Sequence, residues 1–367
     1  MIVVPDMTSM TATWRKRGAD RAFDAVLESL RWMVAHHPAG DPERHGIEVI
    51  KHVSYLPSGD ADHTLDVYVP RRRAGTLLPA VLYIHGGSFR NLSKEHLWFA
   101  ALTFARRGYV VFNLEYRRGG AHRYPTALAD VCAAAVWAKE HGARFGANMN
   151  RLVVAGESAG ANLAMALAVA CSYRRDEPWA RSVWNASVTP QAVALGCGIF
   201  QVSEPERFRP EGRLGPWISE CIRDVAHNYL PDPAAAPGVY PLADPLLVIE
   251  GAAAPDRPLP PFFLGVGDRD PLREDTERFA RALARLGVNH ESKRYAGGVH
   301  GFHVLLPWTR LARALWEDQF QFLERTLACS RPCSRRVDGR ARSDVTAPPP
   351  SETRLAALSA LSAGPRP

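Results

Sequence analysis

The chain has 367 residues, 46% of them hydrophobic and 23% charged, with a formal net charge of +7. These are the proportions of an ordinary globular protein with room for one large α/β domain or two smaller ones, and no run approaches the length of a membrane span. Residues 330–367 carry seven Arg against Asp338, Asp344 and Glu352, so +4 of the charge lies there and +3 in the body; without interleaved aromatics this argues against a nucleic-acid partner.

Residues 1–10 carry no pattern, and Met1–Asp6 is too short and too quickly interrupted for a secretory apolar region, so a cytoplasmic protein is expected. From 11 to 37 the spacing of Phe23, Val26, Leu27, Leu30 and Met33 predicts an amphipathic helix, ended by Pro38 and Pro42. Strands are expected at 47–56, 64–69 and 80–85, the last continuously apolar as in a central parallel strand. Helix 94–107, strand 109–114, helix 126–141 and strand 152–155 follow. After them come an Ala-rich helix from 161, strands 192–198 and 261–267, helix 272–286, strand 290–295 and helix 309–327. Alternating strands and helices imply a mostly parallel eight-stranded sheet, its first pair antiparallel, with helices on both faces.

The stretch from about 200 to 258 interrupts the alternation, contains a short helical pattern at 217–226, and reads as a lid inserted where strand ends form sites. After about residue 329 the composition turns to Arg, Ser, Ala and Pro, the signature of a disordered tail. Three parts are expected: a helical lid segment at 1–45, an α/β domain at 46–328 with its lid insertion, and a basic tail at 329–367. Cys132, Cys171, Cys197 and Cys221 stand singly in apolar or helical contexts and read as buried small hydrophobes. Cys329 and Cys333 have no histidine nearby, so neither a zinc site nor a disulfide framework is expected.

The chemistry gathers at four strand ends. Gly156-Glu157-Ser158-Ala159-Gly160 sits between an apolar strand and the Ala-rich helix, the nucleophile-elbow pattern. His85-Gly86-Gly87-Ser88-Phe89 follows a central strand, where adjacent glycines let backbone N–H groups approach a ligand. With the N–H of Ala159, the N–H groups of Gly86, Gly87 and Ser88 are the expected oxyanion hole. Asp268 and Asp270 follow the strand 261–267, and His300 and His303 follow the last strand. Ser, then Asp, then His, each just past a strand, suits nucleophilic acyl transfer. A serine hydroxyl needs a base, and that base needs a carboxylate to fix its tautomer. No Cys or carboxylate cluster beside the two histidines in the sequence completes a metal site, so none is expected.

These stretches, with Tyr116-Arg117, Asp270-Pro271-Leu272 and His300-Gly301-Phe302, resemble the hormone-sensitive-lipase-like (fold-3) esterases of the α/β-hydrolase fold over residues 45–327. The resemblance implies hydrolysis of a small-molecule carboxylic ester without a cofactor, beneath a helical lid. Ser158 would be the nucleophile, Asp270 the acid and His300 the base, and a homodimer is one assembly open to such a chain. Ser88 stands where the family usually has a third glycine, Glu157 where it often has Asp, and Tyr116-Arg117-Arg118-Gly119-Gly120 replaces its usual segment. An amidase, formamidase or lactonase on the same triad, and a ligand-binding homologue without turnover, are the alternatives. The bulky Phe89, Phe200, Trp217 and Tyr229, near the site or in the insertion, are expected to line the substrate pocket and favour short to medium acyl groups. Pro271 restrains Asp270 in extended backbone, which favours it over Asp268 as the acid.

Overall fold

The structure, a computed structural model, describes residues 28–29, 40–71, 75–208 and 216–329. The expected helix at 11–37, residues 28 and 29 apart, and the expected tail beyond residue 329 lie outside the described residues. The sheet has eight strands: β1 (Ile47–Ser54), β2 (Thr64–Pro70), β3 (Leu78–Ile84), β4 (Val110–Leu114), β5 (Ala147–Glu157), β6 (Ala192–Gly196), β7 (Phe262–Gly267) and β8 (His290–Tyr295). Their order is β1-β2-β4-β3-β5-β6-β7-β8. β2 is antiparallel to β1 and β4, and every later pairing is parallel. The helices are α1 (Trp98–Arg106), α2 (Thr126–His141), α3 (Ala159–Ser172), α4 (Pro178–Asn185), α5 (Pro216–Tyr229), α6 (Pro245–Glu250), α7 (Arg273–Arg285), α8 (Phe302–Leu305) and α9 (Arg310–Cys329).

Side chains of successive strand residues leave on opposite faces, and the core divides accordingly. Ala80, Leu82 and Ile84 of β3 join α2, α3 and α7 in one cluster. Val81 and Tyr83 join α1 and α9 in the other. Every residue of α3 is buried, as a helix that is apolar all round requires.

Four local differences from the sequence expectations have physical reasons. α1 begins at Trp98 rather than at 94, because Lys94 is held elsewhere: its N–H donates to Glu115 and its ammonium to Asp66. β5 starts at Ala147, five residues early, since a register irregularity against Pro79 and Ala80 lets 147–148 pair with β3. β6 stops at Gly196 because Cys197 turns to φ 42°. The short helices α4 and α6 are each started by a proline at the first turn, a position where its missing N–H costs nothing. No helix among the described residues is long and apolar enough to cross a membrane.

Candidate active site

β5 ends one residue before Ser158, and α3 begins one residue after it. Ser158 therefore carries the whole reversal, at φ 54° and ψ −120°. A non-glycine residue there stores roughly 1–3 kcal/mol of strain, which the buried elements on either side must hold. Gly160 is obligatory: a Cβ would overlap the carbonyl oxygens of Ile84 and His85. The N–H of Ser158 donates to Gly196 O at 2.9 Å, tying the turn to β6.

His300 Nε2 lies 3.0 Å from Ser158 Oγ. Its Nδ1 lies 3.1 and 3.0 Å from the two carboxylate oxygens of Asp270. Asp270 is buried and also accepts the N–H of Leu272 at 2.8 Å, so one loop bond fixes it beside the imidazole. Asp268, two residues away, accepts the N–H of Gly297 at 2.7 Å and does not meet His300 in these bonds. Burial opposes protonation of His300, but the Asp270 charge and the Cys197 side chain outweigh it and hold its pKa well above the usual histidine value. His303 points elsewhere: it is buried, its Nδ1 has no partner among the described residues, and burial lowers its pKa to about 4.

The loop after β3 runs beneath this group. Gly87 has φ 120°, and a Cβ on it would overlap the carbonyl of Asn91. Among the described residues, the N–H groups of Gly87, Ser88 and Ala159 have no protein acceptor, and Ser88 and Ala159 line the cavity over Ser158. Gly86 differs from the expectation. Its N–H donates to Glu157 Oε1 at 2.6 Å, so it is not free for an oxyanion. The other carboxyl oxygen of Glu157 accepts from the Tyr83 hydroxyl. Burial pushes the Glu157 carboxyl up to about 7. Glu157 thus braces the glycine loop against the elbow, a role its place between Gly156 and Ser158 did not reveal. His85 braces the same loop from behind, with Nδ1 on Gly86 O at 2.7 Å and Nε2 on Glu115 at 3.0 Å. The Tyr116 ring stacks on it, and the Tyr116 hydroxyl donates to His85 O at 2.8 Å. Arg117 forks onto Asp130 at 3.0 and 2.7 Å, behind this layer.

A cavity of about 80 Å³ opens over Ser158 and His300, walled by Ile199, Pro271, Leu272 and, from α5, Cys221, Ile222 and Val225. The four aromatic residues expected there are not on its wall. Phe89 and Tyr229 are buried against each other, ring centroids 3.7 Å apart, and Phe200 is buried against Phe279. Trp217 is 48% exposed. Bulk and sequence position made them candidates; the spacing Cys221, Ile222, Val225 along the expected helix was the signal that finds the wall. A larger hollow of about 430 Å³ lies at the other end of the strands, beside Pro190, Pro260, Asn289 and Arg325, away from every residue above.

The family described by the alpha/beta hydrolase fold matches residues 81–304, which include all of these strand ends. The chain belongs to the hormone-sensitive-lipase-like α/β-hydrolase fold-3 family. Esterase LipI of Mycobacterium tuberculosis is 30% identical over 233 residues, covering 61% of this chain and 65% of that protein. Carboxylesterase NlhH of the same species is 28% identical over 230 residues, covering 61% and 66%. This α/β-hydrolase chain therefore spans less than two thirds of the length of either relative. Among solved structures, esterase B of Lactobacillus rhamnosis shares the fold with a TM-score of 0.68 at 20% identity, over 88% of this chain and 97% of that one. A tributyrin phosphonate-inhibited form of esterase B gives a TM-score of 0.66.

Proposed function

We propose that this chain is a serine carboxylesterase that hydrolyses short- to medium-chain carboxylic esters through an acyl-enzyme. The observation that carries the reading is the unbroken run Ser158 Oγ, His300 Nε2, His300 Nδ1, Asp270, mounted on a strained strand-to-helix turn. In that reading His300 takes the Ser158 proton as the hydroxyl adds to the ester carbonyl. Asp270 holds the proton on Nδ1 and stabilises the imidazolium that forms. The N–H groups of Gly87, Ser88 and Ala159 receive the oxyanion, the last from the start of α3. The tetrahedral intermediate collapses, His300 protonates the departing alcohol, and water repeats the sequence on the acyl-enzyme.

The cavity of about 80 Å³ over Ser158 is small. That room favours acetyl to hexanoyl groups over long chains. We read the 200–258 insertion as the lid, with α5 as its inner face, above the catalytic domain. The names of LipI and NlhH support ester hydrolysis. The test is a series of chromogenic acyl esters and anilides, run beside Ser158→Ala. Wild-type turnover of short esters should fall on the order of 10³-fold or more in the variant. A phosphonate ester should label wild type on Ser158 and spare the variant. No ester turnover by the folded wild type, or equal turnover by the variant, would remove the reading.

A further inference from the structure

Cys197 is a buried thiol for which the acyl-transfer chemistry has no use. It follows β6 directly, and its N–H donates to Gly265 O at 2.8 Å. The turn there places its side chain beside His300. Its Sγ, a carboxylate oxygen of Asp270 and an imidazole nitrogen of His300 all lie within 4.8 Å of one another. We propose that Cys197, Asp270 and His300 form an inhibitory binding site for a borderline-soft divalent cation such as Zn²⁺.

The donor set is sulfur, nitrogen and oxygen, the combination Zn²⁺ takes in four-coordinate sites with water as the fourth ligand. Bonds of about 2.0–2.3 Å in a tetrahedron separate ligand atoms by roughly 3.3–3.8 Å, so side-chain adjustment within the present spacing suffices. Magnesium and calcium, which demand several oxygen ligands, are excluded. The other cluster of ligating side chains among the described residues, His52, Asp66 and Glu95, is already filled by a cation. The Lys94 ammonium lies 2.7 Å from Asp66, 2.9 Å from Glu95 and 3.2 Å from His52. No such ammonium sits among Cys197, Asp270 and His300 in the hydrogen bonds of the described residues.

Inhibition follows from the tautomer. His300 turns Nε2 to Ser158 and Nδ1 to Asp270, so a cation held by the carboxylate and the thiolate engages Nδ1. Starting from neutral His300, the form the base must take, the metal takes the Nδ1 lone pair as the single imidazole proton moves from Nδ1 to Nε2. Cys197 loses its thiol proton to solvent, so one proton is released per ion and no carbon bond changes. His300 then presents an N–H to Ser158 Oγ in place of a lone pair, and the general base is gone.

Only the inhibition part of this inference rests on the esterase reading, so the test has two arms. In the first, Zn²⁺ is titrated into ester turnover of wild type and Cys197→Ala, with Mg²⁺ as control. Zinc should inhibit wild type, magnesium should not, and loss of the thiol ligand should weaken inhibition at least about tenfold. In the second, Cd²⁺ is added to Ser158→Ala, and the thiolate-to-cadmium charge-transfer band is read by difference spectroscopy. One band per chain should appear. It should persist when Cys221, Cys329 and Cys333 are serine, and vanish on adding Cys197→Ala. Circular dichroism and melting temperature check that each variant is folded. A cadmium band that survives Cys197→Ala, that is lost with the other three thiols, or that never forms would overturn the proposal, whatever the ester assays show.

Discussion

Glu157 and Ser158 are neighbours with opposite duties: one faces the loop beneath the cavity, the other the cavity itself. Glu157 accepts the Gly86 N–H and the Tyr83 hydroxyl, and so fixes where Gly87 and Ser88 aim their own N–H groups. Glu157→Ala should lower kcat about 10²-fold with little change in KM, because a displaced donor is felt in the transition state. Glu157→Gln keeps an acceptor for Gly86 and should recover most of the rate. An unchanged kcat in folded, active-site-titrated Glu157→Ala would show that the brace matters only to stability. The two nearby aspartates separate by partner. Asp270→Asn should cut kcat by up to ~10⁴-fold, since the wrong tautomer is stabilised. Asp268→Asn, which disturbs only the Gly297 contact, should retain turnover. A pH profile adds a sign. The base must be neutral, and its pKa is raised, so kcat/KM should climb as pH rises through a limb above the ordinary histidine value of about 6.5. Asp270→Asn removes the raising charge and should move that limb to lower pH; a limb that stays in place would show another group titrating.

At the scale of elements, α5 decides what the cavity admits. One face of it, Cys221, Ile222 and Val225, forms wall, while Trp217 faces out. Ile222→Ala should open the cavity toward longer acyl chains, raising the octanoyl-to-butyryl ratio of kcat/KM roughly tenfold, the scale of apolar pocket discrimination. A ratio that does not move would mean the acyl chain leaves by another side. The elbow elements tolerate less. The backbones of β3 and α3 touch at Gly160, so even a methyl group there must push a strand and a helix apart.

Over the whole molecule, the start of the excursion after β6, residues 200–207, is secured by charge as much as by packing. Asp275 of α7, fully buried, accepts the N–H groups of Phe200 and Gln201 at 2.8 and 3.1 Å and pairs with Arg207 at 2.7 Å. Asp275→Ala would leave two N–H groups without their acceptor and a mostly buried guanidinium without its counter-charge, held among the described residues only by the Gln201 carbonyl at 2.6 Å. It should cost about 3 kcal/mol or more in denaturant unfolding, because removing one partner strands the other charge. A loss below about 1 kcal/mol would mean that apolar contacts such as Phe200 on Phe279 hold the excursion by themselves.

The alternation of strands and helices, the order of Ser158, Asp270 and His300, and the glycines at 86–87 and 156–160 were legible from the sequence alone. Each is written in short-range signals: residue period, turn chemistry, and a functional residue at the end of a strand. The insertion was legible as a break in the alternation. The wall of the cavity was less so, because bulk marks an aromatic residue without saying which way its ring turns; Phe89 and Tyr229 satisfy each other instead. The capture of the Gly86 N–H by Glu157 and the approach of Cys197 to His300 lie beyond any local pattern. They depend on the parallel register of β3, β5, β6 and β7, which sets residues remote in sequence a few ångströms apart at one edge of the sheet. Local interactions choose the elements; only their packing decides which side chains and N–H groups are already spent on one another and which remain for chemistry.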